Sequence, residues 1–276
     1  MEFINRDINL LLLANEKKSE YQKAKPFPNI VFNDFFNTTA LNQVLDEFPD
    51  LSGIKDIIKY NNHNEIKFAA KGEALFGKTT KDLVHFLNSQ PILEFLQVLT
   101  GIEETLIPDP YFEGGGYHEI KPGGLLKIHA DFNKNRLTKL DRRINLLIYL
   151  NKEWEESYGG HFELWDKDMI TSHKKILPIF NRMAIFSTTD FSYHGHPNPL
   201  TCPSNRSRKS LALYYYTNGR PAHKVDAGIE EHGTLFRSRA GIIGDVKPEV
   251  SISIKSIIKD LLPPVIIKVI KKISRQ

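Results

Sequence analysis

Residues 108–217 alternate between short apolar runs and turn residues, and this pattern limits the possible folds more than any other feature of the chain. The best candidate strands are Ile144–Leu150, His161–Trp165, Met183–Ser187 and Ser210–Thr217. Stretches rich in glycine, proline and asparagine separate them. Many short strands at this spacing predict an all-β sandwich or barrel.

The first hundred residues have a different, helical periodicity. Apolar residues recur at three- and four-residue steps, which predicts amphipathic helices. We expect helices over Ile8–Lys25, Thr39–Phe48 and Thr80–Thr100, with Pro91 starting a second helix in the last range and a short strand at Asn29–Phe32. The expected fold class is therefore mainly β with flanking helices (α+β). Its core is a double-stranded β-helix, a jelly-roll or cupin-like barrel, preceded by N-terminal helices.

Four regions follow from these patterns. We predict a helical N-terminal support region over 1–107, the double-stranded β-helix core over 108–220, an irregular extension over 221–250 and a basic amphipathic helical tail over 251–276. The tail repeats isoleucine, leucine and valine at helical spacing and holds six basic residues against one acidic residue. Pro263-Pro264 should kink or divide it. Its apolar face would pack on the body or on a second subunit, or lie on an anionic membrane surface.

Composition narrows the cellular setting. Cys202 is the only cysteine of the 276 residues, so an intrachain disulfide and a cysteine-rich zinc site are both excluded. The N-terminus has no signal-peptide pattern, and no apolar run is long enough to span a bilayer. We expect a cytoplasmic protein, peripheral at a membrane if the tail binds one. Because most of the positive charge lies in the tail, no nucleic-acid partner is expected.

The strongest functional signal is the ordered set His129, Asp131 and His194. On a strand, residues two apart point to the same face, so His129 and Asp131 can approach one ion while Ala130 points away. An isolated His-x-Asp carries little information, but the later histidine completes a set of two imidazoles and one carboxylate. Such a set leaves open positions on a metal and is the ligand set of non-haem Fe(II) oxygenases.

His196 is an alternative to His194 as the third ligand. In an extended segment the two histidines would share a face, but Gly195 and Pro197 predict a turn there, so only one should bind. His194 is the preferred ligand, and the other histidine would then support the site from outside the ligand set.

Arg208 precedes an apolar strand and is the candidate anchor for a carboxylate. A guanidinium forms a bidentate pair with a carboxylate, so it could hold the far end of a chelating 2-oxo acid. Arg206 and Lys209 are its competitors; Arg206 is expected in a turn and Lys209 on the opposite face of the strand. Tyr149, at the end of another strand, could donate its phenol to the same carboxylate.

Residues 108–216 resemble the 2-oxoglutarate- and Fe(II)-dependent dioxygenases, in particular their prolyl-4-hydroxylase-like branch. The segments that carry the resemblance are Gly123–Asp131, Leu146–Trp154, Gly159–Leu164, Arg182–Phe186 through His194, and Arg208–Tyr216. The resemblance implies that His129, Asp131 and His194 hold the iron. It also implies that Arg208 pairs with the distal carboxylate of 2-oxoglutarate and that Tyr149 donates a hydrogen bond to it. The insert between His194 and Arg208 is longer than in animal oxygen-sensing hydroxylases, which leaves the arginine less defined than the iron ligands.

The activity implied by the resemblance uses Fe(II), with 2-oxoglutarate and O2 as co-substrates. It would hydroxylate an unactivated C–H bond of a prolyl residue or a small molecule and release succinate and CO2. The carboxylate ligand argues against halogenation. Two alternatives are a cupin-like protein with another metal and a non-catalytic barrel that docks through its tail. The segments Asn133–Arg143 and Phe112–Tyr117 are expected to flank the opening of the site.

Overall fold

The computed structural model describes residues 2–221 and 231–245. Its α-helices in those residues are α1 (Leu10–Lys23), α2 (Thr38–Asp46), α3 (Lys78–Leu87) and α4 (Gln90–Thr100). Pro91 lies in the first turn of α4, where its missing N–H costs no hydrogen bond. Gly101 ends α4 with a φ of 71°, a left-handed conformation that glycine adopts without strain. The helices expected in the N-terminal region are therefore present, with ends shifted by one to three residues.

Antiparallel strands make up most of the other regular structure of the described residues. They are β1 (Asn29–Asn33), β2 (Ile58–Asn61), β3 (Glu65–Ala69), β4 (Ile107–Pro108), β5 (Gly116–Ile120), β6 (Leu125–Ala130), β7 (Asp141–Tyr149), β8 (Phe162–Trp165), β9 (Ser172–Ile176), β10 (Arg182–Ser187), β11 (His194–His196), β12 (Arg208–Thr217) and β13 (Leu235–Phe236). Neighbouring strands follow the order β1-β10-β7-β12-β5-β3-β6-β11-β8-β9, with β13 beside β6, β2 beside β3 and β4 beside β12. The prediction of a mainly β fold with flanking helices is confirmed.

Strand alternation divides the sheet into two faces. Leu146 and Ile148 of β7 pack in the main hydrophobic core together with Leu213 of β12 and residues of all four helices. The intervening residues Asn145 and Leu147 line the interior of the curled sheet. Because successive side chains of a strand point to opposite faces, one strand can serve the helical core and the interior cavity at once.

The first region contains more strand than its sequence predicts. Besides the expected strand at β1, strands β2 and β3 lie within residues 58–69, and β3 pairs with both β5 and β6. Strand β1 pairs with β10. The sheet therefore continues across the predicted boundary at residues 107 and 108.

The prediction of a turn around Gly195 was wrong, because residues 194–196 form strand β11. A Cβ on Gly195 would lie 2.7 Å from the carbonyl oxygen of Leu126 and 2.8 Å from that of Lys127. The glycine is there because it lets β11 approach β6 closely, which is a common use of glycine inside a strand. His194 and His196 consequently lie on one extended strand.

Residues 231–245 lie along the open side of β6. Leu235 pairs with Ala130 and Phe236 with His129. The Lys127 ammonium donates a hydrogen bond to the carbonyl oxygen of Gly244. These residues belong to the predicted extension over 221–250, whereas the predicted tail over 251–276 lies outside the described residues. No helix among the described residues combines the length and apolar character needed to cross a membrane.

Candidate functional site

His129, Asp131 and His194 converge at one point of the curled sheet. His129 lies near the end of β6, Asp131 directly follows that strand, and His194 opens β11 opposite His129. The Nε2 atoms of His129 and His194 lie 3.6 and 3.4 Å from the nearer carboxylate oxygens of Asp131. One potential ligand atom from each residue lies within 4.8 Å of the others. Over residues 2–221 and 231–245 this is the one cluster of its kind.

Backbone carbonyls orient both imidazoles. Nδ1 of His129 donates to the carbonyl oxygen of Lys127 at 2.8 Å, and Nδ1 of His194 donates to that of Ser192 at 2.8 Å. A carbonyl oxygen can only accept, so each Nδ1 carries a hydrogen and each neutral ring presents the lone pair of Nε2 to the centre.

Two polar side chains of β7 hold Asp131 from behind. Oδ2 of Asp131 accepts hydrogen bonds from Arg142 at 3.1 Å and from the Asn145 amide at 2.6 Å. Nε of Arg142 in turn donates to Oδ1 of Asn145 at 2.8 Å. The guanidinium lies over the rings of Phe132 and Tyr214, with its carbon 4.3 and 3.4 Å from the ring centres. Contact with two aromatic rings, which lie at 82° to each other, favours a desolvated cation.

Sequence reasoning missed Arg142 and Asn145. For Asn145 the available signal was a polar residue inside the apolar strand predicted over Ile144–Leu150; Arg142 falls before that strand, in the segment expected to flank the opening. Nothing local indicated that they would face Asp131, because that contact depends on how β7 and β6 curl toward each other.

The charges around the cluster favour the ligand forms of its members. Burial alone would raise the pKa of Asp131, but Arg142 and the two imidazoles outweigh it and hold that pKa well below its usual range. Burial lowers the pKa of His194 to about 3, with a further lowering by His129, although Asp131 opposes the shift. The carboxylate is therefore ionised and the His194 imidazole neutral near pH 7.

This donor set fits a divalent transition metal. Two neutral imidazole nitrogens and one carboxylate on a single side match the facial arrangement of non-haem Fe(II) sites, which keeps positions free for other ligands. The three residues are buried or nearly so, with His129 and His194 only 4% and 6% exposed. They can therefore exclude bulk water from most directions.

Arg208 lines the same cavity as the cluster. It is buried, its Nε donates to the carbonyl oxygen of Gly160 at 2.8 Å, and its guanidinium carbon lies 5.0 Å from the ring centre of Tyr149. Burial raises the pKa of Tyr149 to about 12, although Arg208 opposes the shift, so the phenol keeps its proton. The Tyr149 oxygen interacts with the guanidinium, which can only donate, so its O–H has no acceptor among the described residues.

The two competing cations lie elsewhere. Arg206 pairs with Glu153 at 3.1 Å, and its side chain is 32% exposed. The Lys209 ammonium lies 5.1 Å from the ring centre of Phe48, which belongs to the helical core on the other face of the sheet. Of the three candidates only Arg208 reaches the cavity of the His–Asp–His cluster.

Residues 115–216 match the model of the 2OG-Fe(II) oxygenase superfamily. That range contains the cluster, Tyr149 and Arg208. No curated protein matches the chain.

Solved structures of this superfamily share the fold. A prolyl hydroxylase from Trichoplax adhaerens, in complex with a peptide fragment of the hypoxia-inducible factor oxygen degradation domain, has 17% identity and a TM-score of 0.55 over 75% of this chain and 90% of its own. A prolyl-4-hydroxylase from Pseudomonas putida has 12% identity and a TM-score of 0.54 over 76% of this chain and 100% of its own. A 2OG-Fe(II) oxygenase family oxidoreductase from Burkholderia pseudomallei has 10% identity and a TM-score of 0.50 over 78% and 94%. The sheet is accordingly a double-stranded β-helix, as predicted.

Proposed function

We propose that this chain, whose residues 115–216 match the model of the 2OG-Fe(II) oxygenase superfamily, is an oxygenase that hydroxylates an unactivated C–H bond with His129, Asp131 and His194 as its iron ligands. It is an enzyme that depends on Fe(II) and 2-oxoglutarate. The observation that carries the proposed roles is that one cavity is lined by all three proposed ligands and by Arg208. A chelating dicarboxylate needs a metal at one end and a cation at the other, and this cavity supplies side chains for both.

Each side chain has a defined task in this proposal. His129, Asp131 and His194 hold Fe(II) on one side and leave positions for the co-substrates. Arg208 pairs with the distal carboxylate of 2-oxoglutarate, and the Tyr149 O–H, which has no acceptor among the described residues, donates a hydrogen bond to it. Bound iron, 2-oxoglutarate and O2 together supply the oxidising power for C–H hydroxylation, with release of succinate and CO2.

Arg142 and Asn145 act as positioning residues. They hold one oxygen of Asp131, so the carboxylate keeps its orientation whether or not the metal is bound. Partners of this kind raise metal affinity because the ligand does not have to be ordered on binding. The buried walls around the cluster exclude water from the reacting groups.

The primary substrate in this proposal is a prolyl residue of a peptide or a small polar molecule. A surface cavity of about 340 Å³ opens beside Phe132, the neighbour of Asp131, and is also lined by Glu113, Lys134, Arg136 and His232. Its mixed charges suit a polar substrate. Segments 112–117 and 133–143, expected to flank the opening, contribute to this lining.

The test is an anaerobic titration of the protein with Fe(II) and 2-oxoglutarate, followed by exposure to air. We expect the visible metal-to-ligand charge-transfer band of the chelate and then succinate release. Both should disappear in His129→Ala and Asp131→Ala variants that remain folded. Peptides with and without proline, and small polar molecules, would then be compared by how far each raises succinate release. Absence of band and succinate from the folded wild-type protein would contradict the proposal and favour another metal or a docking role.

A further inference from the structure

His196 is a buried histidine whose ring nitrogens both lack a partner. The residue is 3% exposed, and neither Nδ1 nor Nε2 makes a hydrogen bond of good geometry within the described residues, although the backbone of Asn198 is near enough to favour the protonated ring. It lines the cavity that also holds His194 and Arg208. Buried polar atoms are nearly always paired, and each unpaired one costs free energy, so an unpaired ring aimed into a cavity indicates a missing ligand.

The position of His196 along β11 defines which part of a ligand it could reach. It lies two residues after His194 on the same strand, so the two rings share a face about 6.7 Å apart along the strand. Strand β11 runs from the His–Asp–His cluster toward the end of the cavity where Arg208 donates to Gly160. His196 therefore lies beyond His194, on the side of the cavity nearer to Arg208.

The Tyr149 hydroxyl also has an unused donor: its oxygen interacts with the Arg208 guanidinium, which can only donate, and its O–H has no acceptor among the described residues. It is fully buried, and the ring of its residue lies under the Arg208 guanidinium. Tyr149 and His196 therefore each offer an unused hydrogen-bond donor in addition to the Arg208 guanidinium. A carboxylate accepts several hydrogen bonds at once and would satisfy donors that approach from different strands.

We propose, building on the proposed function, that His196 donates a hydrogen bond to the distal carboxylate of 2-oxoglutarate and so joins Arg208 and Tyr149 in binding it. A histidine ring carries at least one N–H in its neutral form and two when protonated, so a donor is present in either state. The chelating end of 2-oxoglutarate would lie at His129, Asp131 and His194. His196 would therefore recognise the carboxylate at the opposite end.

The experiment is calorimetric binding of two ligands to Mn(II)-loaded protein. 2-Oxoglutarate has the distal carboxylate, whereas oxalate chelates a metal through two oxygens but lacks that group. We expect His196→Leu to weaken 2-oxoglutarate binding roughly tenfold, the effect of losing one hydrogen bond to a charged group. Oxalate binding should stay within about twofold of wild type on the same scale. His196→Gln, which restores an N–H donor, should recover part of the loss.

His118 provides the matched control. It lines the same cavity, but its Nε2 already pairs with the carbonyl oxygen of Gly114 at 3.0 Å. His118→Leu makes the same chemical change without removing an unpaired donor, so the preference for 2-oxoglutarate over oxalate should be that of wild type.

The outcomes separate the two levels of the proposal. If His196→Leu binds both ligands as the wild type does, His196 has no role in co-substrate binding, while the proposed function stands. If the variant weakens both ligands equally, His196 supports the metal site instead, which also contradicts the inference. If wild-type protein with bound Mn(II) takes up neither ligand, the proposed function fails and the role of His196 with it.

Discussion

The side-chain amide nitrogen of Asn145 donates a hydrogen bond to Oδ2 of Asp131 at 2.6 Å. Arg142 donates to the same oxygen. Because Oδ2 already accepts two hydrogen bonds, Oδ1 is the oxygen with more capacity for a metal. The contact thus links an interior residue of β7 to the orientation of the proposed ligand that directly follows β6.

Replacement of Asn145 by alanine should weaken metal binding. We expect the affinity for Fe(II) or Mn(II) to fall roughly 10- to 100-fold, as is usual when a partner of a metal ligand is lost. Anaerobic metal titration measures the change. Asn181→Ala is the control, since Asn181 is equally buried but pairs with the backbone of Phe36. It should lower stability and leave metal affinity near wild type; equal losses of affinity in both variants would contradict a specific role for Asn145.

Arg208 and Arg206 form a natural pair for testing the carboxylate anchor. Arg208→Ala should raise the KM for 2-oxoglutarate roughly 10- to 100-fold, because a buried charged hydrogen-bonding partner is lost. Arg206→Ala removes a surface cation paired with Glu153 and should change KM by less than about twofold. Succinate release as a function of 2-oxoglutarate concentration measures both. A larger effect in Arg206→Ala would reverse the assignment.

The adjacent glycines 159 and 160 should respond differently to alanine. Both have positive φ, 69° and 72°, so either substitution strains the backbone by about 1 to 3 kcal/mol. A Cβ on Gly160 would lie 2.6 Å from a methyl of Leu200 and 3.0 Å from Cδ of Arg208, whereas a Cβ on Gly159 meets nothing within 4 Å. Gly160→Ala should therefore displace Arg208 and raise the KM for 2-oxoglutarate severalfold, and Gly159→Ala should affect stability alone. Thermal melts of the two variants measure the loss of stability, and succinate release as a function of 2-oxoglutarate concentration measures KM. Equal KM values in the two variants would show that Arg208 is not displaced and would contradict this prediction.

Glu47 stabilises the start of α3 from the end of α2. Its carboxylate accepts hydrogen bonds from the backbone N–H groups of Thr79 and Thr80 and from the Thr80 hydroxyl. These are N–H groups that a helix cannot satisfy internally, and a negative charge is favourable there. Glu47→Gln should lower the free energy of unfolding at pH 7 by about 1 kcal/mol.

The same variant should show a defined pH dependence. Burial acts to raise the pKa of Glu47, but the hydrogen bonds from Thr80 and Thr79 outweigh it and leave the pKa below its ordinary value of 4.5. A carboxyl with a lowered folded-state pKa contributes stability above the unfolded pKa and loses it as the pH falls through the folded pKa. Urea denaturation should therefore show the gap between wild type and Glu47→Gln at pH 7, with the gap closing below about pH 4. A gap that persists unchanged in acid would mean that the charge of Glu47 is irrelevant.

Local pattern was enough to predict much of the strand-rich region. His129 lies in β6, and Asp131 follows two residues later, directly after the strand. Alternation of side chains along an extended segment is therefore enough to place both on one face. The same reasoning placed Arg208 inside and Lys209 outside. Helix α4 was predictable because its apolar spacing and Pro91 are both local signals.

Longer-range features depended on tertiary structure. Strands β2 (Ile-Lys-Tyr-Asn) and β3 (Glu-Ile-Lys-Phe-Ala) alternate apolar and polar residues around a polar turn, a hairpin signal that sequence reasoning missed. Only their place in the sheet was not readable locally, because β3 pairs with strands some fifty to sixty residues away. Gly195 was misjudged because its meaning depends on how closely β6 approaches, which no local signal records.

The sequence by itself determined which residues could bind a metal and a carboxylate, because ligand chemistry and strand periodicity are properties of short segments. Tertiary structure decided that Asn145 and Arg142 support Asp131, that Arg208 and not Arg206 enters the cavity, and that His196 lies there unpaired. These contacts join strands distant in sequence, and their geometry is set by the curl of the sheet and by close packing between strands, which no single segment encodes.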